Sequence, residues 1–159
     1  MRLALYQPDM PANLGTVIRT AACLGVAVDI IEPCGFPLDH RALKRALMDY
    51  ADAATVDRHR NFAEFTACRP GRIILLSTRA STPYCAFAYE PHDTLLLGRE
   101  SAGVPEEIHK RADHRVIIPM RPGLRSLNIA QAAAMVLGEA LRQTDAFGQA
   151  GDERETDGE

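Results

Sequence analysis

Short apolar runs alternate along this chain with amphipathic stretches, and that alternation limits the fold more than any other feature. Leu3-Ala4-Leu5-Tyr6, Val28-Asp29-Ile30-Ile31, Ile73-Ile74-Leu75-Leu76, Thr94-Leu95-Leu96-Leu97 and Arg115-Val116-Ile117-Ile118 read as strands. Several are apolar at consecutive positions and so on both faces, which suits a parallel sheet covered by helices on each side. Helices are predicted between them at 14–24, 39–49, 60–67, 105–111 and 128–143. Asn13 is a suitable cap for the first helix and Gly25 a suitable stop. Asp39 can cap the second, Pro105 with Glu106 and Glu107 fits the start of the fourth, and Asn128 can cap the last. The repeated β-α order predicts one α/β layered domain over residues 1–147.

Composition bounds the partners. The 159 residues are 47% hydrophobic, enough for one real core, and carry 18 Lys+Arg against 21 Asp+Glu for a formal charge of −3. A negative total argues against a nucleic-acid partner, but its distribution removes the objection. The last nine residues hold five acids and one base, so without them 17 bases face 16 acids. Residues 148–159 read as an acidic, disordered tail. Cys23, Cys34, Cys68 and Cys85 show no metal-finger spacing and read as reduced thiols. No apolar run reaches signal-peptide or membrane-span length, so the expected location is the cytoplasm.

In an α/β sheet, ligands bind at loops leaving the carboxyl ends of strands. Three such loops are dense in Gly, Pro and polar groups: Gln7 to Gly15, Gly98 to Pro105, and Pro119 to Asn128. Each could be only a turn leading into a helix. Arg19, off the apolar face formed by Val17, Ile18, Ala21 and Leu24, could be only a solvated arginine. The basic stretch Arg41, Lys44, Arg45, Arg58, Arg60, Arg69 and Arg72 could be a solvated face or a phosphate contact. Several chemistries are excluded. There is no phosphate-cradling G-x-x-x-x-G-K-[ST], no G-x-G-x-x-G after the first strand and no G-x-S-x-G elbow. The five histidines have no ligand spacing, so no metal site is expected.

Three motifs occur in order: Asn13-x-Gly15-x-x-x-Arg19, then Leu97-Gly98-x-Glu100-x-x-Gly103-Val104-Pro105, then Ile118-Pro119-Met120 followed by Arg125-Ser126-Leu127-Asn128. Together they resemble the SPOUT superfamily, and within it the RNA ribose 2'-O-methyltransferases. Ile30-Ile31-Glu32-Pro33-x-Gly35-Phe36 and Met48-Asp49-Tyr50 look like its compact TrmL-type members, which act on the wobble nucleotide of tRNA. The resemblance covers residues 1–145. It departs in the last helix, where compact relatives often have a second Asn at Gln131 and aromatic residues at Gly138 and Leu141.

The resemblance implies a C-terminal deep trefoil knot, which a physical prior would not choose, and a homodimer acting on tRNA. It implies S-adenosylmethionine as methyl donor, held by Leu76, Gly98, Glu100, Gly103, Ile118, Met120, Ser126 and Leu127. Arg19, Ser126 and Asn128 are the implied catalytic residues. Guanidinium keeps its proton in proteins, so Arg19 fits better as a phosphate clamp than as a base. Asn13, Arg19, Arg99, Arg121 and Arg125 are the expected RNA contacts. Two rival readings stand beside this one: methylation of another RNA such as rRNA, and an RNA-binding protein of the same fold without turnover.

Overall fold

The computed structural model describes residues 1–47, 50, 52–69 and 71–147. Positions 48 and 49, the expected end of the second helix and part of Met48-Asp49-Tyr50, and the acidic tail 148–159 lie outside the described residues. The elements run β1 (Arg2–Tyr6), α1 (Pro11–Cys23), β2 (Ala27–Ile31), α2 (His40–Leu47), β3 (Val56–His59), α3 (Phe62–Cys68), β4 (Ile73–Leu76), β5 (Thr82–Pro83), β6 (Thr94–Leu97), α4 (Glu106–Arg111), β7 (His114–Ile117) and α5 (Ile129–Gln143).

Among the described residues one seven-stranded sheet has the order β3-β2-β1-β6-β4-β7-β5, and every pairing is parallel. The pleat sorts its side chains. Leu3, Leu5, Val28, Ile30, Ile74, Leu95, Leu97 and Val116 pack on one face beneath α1 and α5. Ala4, Tyr6, Ile31, Leu75 and Leu96 pack on the other face beneath α3 and α4. Strands buried on both faces explain why the apolar runs show no alternation, as expected of a parallel sheet.

Three details differ from the sequence expectation. Helix α1 begins at Pro11, two residues before Asn13, with Met10 in the cap position. Proline's fixed φ and missing N–H suit the first helical position, and this frees the Asn13 side chain for other partners. Strand β3 was not expected, because Val56-Asp57-Arg58-His59 is mostly polar. Strand β5 is only two residues long, too short for a hydrophobic pattern to form. By contrast Gly25 ends α1 as expected: its N–H reaches Ala22 and that of Val26 reaches Ala21. Asn128 caps α5, its Oδ1 accepting from the N–H groups of Ala130 at 2.9 Å and Gln131 at 3.4 Å.

The polar character of β3 has a structural cause. Asp29, fully buried on β2, accepts from Arg2 Nε at 2.6 Å and Arg69 Nε at 2.8 Å. His59 Nε2 lies 2.7 Å from the same carboxylate. Asp57 takes the remaining arms of Arg2 and Arg69, at 2.6 and 2.7 Å. Burial opposes the charge on Asp29, but the bonds from Arg2, Arg69 and His59 overcome it and hold the carboxyl below its usual range. Two carboxylates and two guanidiniums thus join β1, β2, β3 and the segment after α3.

Candidate active site

Strand β1 leads away toward β2 on one side of the sheet, whereas β6 leads through α4 to β7 on the other. Where neighbouring strands diverge in this way, their carboxyl ends leave a crevice. Here it is a cavity of about 650 Å³, bounded by the loops after β4, β6 and β7, by Met10 and Asn13, and by the start of α5. That volume is in the range of small-molecule sites.

Leu76, Leu97, Val116, Ile118 and Leu127 supply apolar wall, and the loops add backbone N–H and C=O groups. The loop after β6 is held tight: Arg99 and Gly103 exchange backbone hydrogen bonds of 2.9 and 2.8 Å. Gly103 has φ +65, a conformation that favours glycine. Gly98 lies so close to Gly103 that a Cβ on Gly98 would sit 2.6 Å from its carbonyl carbon. Both glycines of the second motif therefore have a steric reason.

The eight residues expected to hold the donor all line this one cavity, as do Asn13, Arg99, Arg125 and Asn128. Arg19 and Arg121 do not line it. Arg19 is half-buried in the middle of α1, with Nη2 donating to Thr16 Oγ1 at 3.3 Å. Arg121 is exposed on the loop that leaves β7. The basic stretch 41–72 divides. Arg58 pairs with Glu32, Arg60 with Glu64, Arg69 with Asp29 and Asp57, and Arg72 with Asp93. Those four are tied to acids, while Arg41, Lys44 and Arg45 are exposed on α2.

A directed chain of hydrogen bonds crosses the site. Backbone N–H groups at the start of α5 donate to Asn128 Oδ1; Asn128 Nδ2 donates to Asn13 Oδ1 at 3.0 Å; Asn13 Nδ2 donates to Glu100 Oε1 at 3.2 Å. The chain ends beside Asp9. The Asp9 N–H donates to Glu100 Oε2 at 3.1 Å, and Asp9 Oδ1 accepts from the Glu100 N–H at 3.3 Å. Ser101 donates to Asp9 Oδ2 through both N–H and Oγ, and Arg99 Nε lies 3.7 Å from that oxygen. The contact with the Glu100 carboxyl, then that with Ser101, holds Asp9 down at about 2. Burial first, and Asp9 second, push Glu100 upward. As pH falls, Glu100 takes a proton before Asp9.

Asp9, Arg79 and His109 are cavity or network residues that the sequence reading missed. Asp9 sits inside the first marked loop, so its position was visible and its role was not. Arg79 lines the cavity and pairs with Glu106 at 2.9 Å. His109 also lines it, and burial, helped by Arg79, lowers its pKa. Among the described residues no group of three or more His, Cys, Asp or Glu could hold a metal, and no helix is long and apolar enough to cross a membrane.

Comparison with known proteins gives this geometry a context. The sequence model of the SpoU rRNA Methylase family matches residues 1–138. A protein of Beijerinckia indica subsp. indica, named tRNA (cytidine(34)-2'-O)-methyltransferase, is 58% identical over 148 residues, covering 91% of this chain and 92% of its own. A solved structure concerned with 2-OH methylation of C/U34 on tRNA superposes with TM-score 0.84 at 40% identity, covering 89% of this chain and 94% of that one. An AdoMet-bound rRNA methyltransferase from Sinorhizobium meliloti superposes with TM-score 0.78 at 29% identity, covering 89% of this chain but 55% of that one.

Proposed function

The chain belongs to the SpoU rRNA Methylase family, and from that premise we propose that it methylates the ribose 2'-hydroxyl of the wobble nucleotide, position 34, of tRNA, with S-adenosylmethionine as donor. One observation carries the reading: all eight residues expected around the donor, drawn from separate loops, line a single cavity. The choice of tRNA over rRNA rests on the relatives. This chain covers 92% of the Beijerinckia tRNA enzyme but 55% of the Sinorhizobium rRNA enzyme.

The cavity suits the donor on physical grounds. Apolar walls from Leu76, Ile118 and Leu127 fit an adenine face, and the glycine-lined loop after β6 lets backbone groups approach closely. When bound, S-adenosylmethionine supplies a methyl group on a sulfonium, ready for in-line transfer. The residues of the chain have three tasks. Arg19 clamps the phosphate beside the target ribose and stabilises charge developing on the 2'-oxygen. Ser126 and Asn128, at the mouth of α5, orient the hydroxyl. Arg99, Arg121 and Arg125 hold neighbouring phosphates. Positioning of this kind contributes several kcal/mol to catalysis, and the 2'-hydroxyl proton leaves to solvent water as the new C–O bond forms.

Arg19 does not line its own chain's cavity, which supports the reading of a homodimer in which it serves the partner's site. Met10 and Leu127, which line the cavity, are exposed and offer apolar surface there. The knot implied by the family is supported by the path of the chain. After β7, beside β4 and away from β1, the segment 118–128 shares the cavity with the loop after β6 before α5 packs against α1. Residues 1–147 form the methyltransferase domain, with the acidic tail beyond, and the protein works in the cytoplasm beside its tRNA.

The test is nucleoside mass spectrometry of tRNA from cells with and without the gene. Loss of one 2'-O-methylated nucleoside at position 34 is expected. An unchanged tRNA profile with a loss in rRNA would move the substrate. An unchanged profile in both, with the donor still bound by calorimetry, would mark a binding protein without turnover. Mixing two inactive variants, Arg19→Ala and Gly98→Val, tests the shared site: recovered activity is expected, and none would place each site within one chain.

A further inference from the structure

We propose that Asp9 is a positioning residue for this reaction, setting Glu100 so that Asn13 and Asn128 present fixed donors to the ribose. The inference rests on the function just proposed. Its geometric basis is the convergence of four groups on one short side chain. The N–H of Glu100, the N–H and hydroxyl of Ser101, and the Arg99 guanidinium all face the Asp9 carboxylate. Asp9 returns its own N–H to Glu100 Oε2. The two loops are therefore clasped reciprocally, side chain to backbone in each direction.

The clasp is also backed from behind. Gly35, in the loop after β2, packs against Asp9 so closely that a Cβ there would sit 2.6 Å from Asp9 Cβ. The Gly35 N–H donates to Pro8 O at 2.9 Å and fixes that approach. This accounts for the glycine in the Glu32-Pro33-Cys34-Gly35-Phe36 segment, to which the methyl-transfer reading gives no role. With Glu100 held at both oxygens, by Asp9 N–H and by Asn13 Nδ2, the amide of Asn13 can take only one orientation. Asn13 then accepts from Asn128 through Oδ1. Asn128 keeps a second N–H beyond the bonds of the chain, while that of Asn13 faces Met10 Sδ at 3.5 Å, a weak acceptor that a ribose oxygen can replace. Such a network has one direction when every member is satisfied, and loses it when its anchor goes.

A buttress that only stabilised the fold would change folding stability and nothing else, so the test separates the two roles. Asp9→Asn, Glu100→Gln and the double variant are compared for kcat, KM for tRNA, donor affinity and Tm. If Asp9 acts through Glu100, Asp9→Asn lowers kcat about tenfold or more while KM and donor affinity stay within about twofold, and adding it to Glu100→Gln costs nothing further. Additive effects, or an unchanged kcat, overturn the proposal. The side-chain amide resonances of Asn13 and Asn128, followed by 15N NMR, give a readout that needs no turnover. They should move in Asp9→Asn as they do in Glu100→Gln; resonances that stay fixed also overturn it. A wild-type protein inactive on tRNA would sink the proposed function, and the resonances would still judge Asp9. If Asp9→Asn does not fold, Ser101→Ala, which removes one donor from Asp9, is read in the same way.

Discussion

Two polar networks sit on this sheet, and they are built in opposite ways. The one joining β1, β2 and β3 is closed. Asp29 is fully buried with three partners, Asp57 takes both arginines, and the groups face one another. The one at the carboxyl ends of β1 and β6 is open. It runs from the start of α5 to Asp9 along exposed or half-buried residues, and it borders a cavity. Both use carboxylates and hydrogen bonds. A closed network fixes the scaffold, because unpaired buried charge is costly. An open one keeps donors and acceptors for something else.

The largest expected effect falls on the closed network. Asp29→Asn leaves Arg2 and Arg69 without their buried counter-charge and His59 without its carboxylate partner, and should cost about 3–5 kcal/mol of stability. Urea unfolding measures it; a loss under about 1 kcal/mol would mean that the cluster is solvated and fixes the scaffold no more than the open network does. The next effect belongs to the open site. Arg19→Ala should lower kcat about 100-fold or more, in the range seen when a transition-state donor is removed, with Tm unchanged. A matching drop in Tm would make Arg19 part of the scaffold.

Acid sharpens the comparison further. Asp29 and Asp9 both have carboxyls held below their ordinary values, Asp9 at about 2. A depressed folded pKa contributes stability that is complete above the unfolded value near 3.9 and is lost as pH falls through the folded one. Stability should therefore decline between about pH 4 and pH 2, and less steeply in Asp29→Asn. Glu100 has the opposite sign: its raised pKa gives stability present at low pH and lost as pH rises. Glu100→Gln should then raise Tm slightly at pH 7, by about 1–2 °C, while lowering turnover. Stability gained with activity lost is the pattern of an open site, and a fall in Tm would contradict it. The smallest effect is in salt. Affinity for tRNA should fall steeply with ionic strength, and Arg125→Ala should reduce the log–log slope by about one; an unchanged slope removes Arg125 from the phosphate contacts.

The open site was the more legible of the two. Glycines and prolines in loops after strands are visible as letters, and Gly98, Gly103, Glu100, Ser126 and Asn128 stand at fixed spacing within local motifs. The closed network left no such mark. Arg2, Asp29, Asp57, His59 and Arg69 are spread over 68 positions and meet only because β1, β2 and β3 lie side by side in register. For the same reason β3 was unreadable: its polar residues, of which only His59 is buried, are held by partners that no local window contains. Asp9 lies between these cases. Its loop was marked, but its contact with Glu100 spans 91 positions.

By itself, then, the sequence determined what depends on near neighbours: strand and helix alternation, the stop at Gly25, the cap at Asn128 and the three loops that carry the motifs. Tertiary structure alone decided that β6 inserts between β1 and β4, bringing the first and second loops together. It also decided that Asn13 serves Glu100 and Asn128 instead of capping α1, and that a fully buried aspartate can hold its charge. Propensity acts over a few residues. Pairing, burial and shared protons act across whatever the folded chain brings within about 3 Å, and that distance is not written in any short stretch of letters.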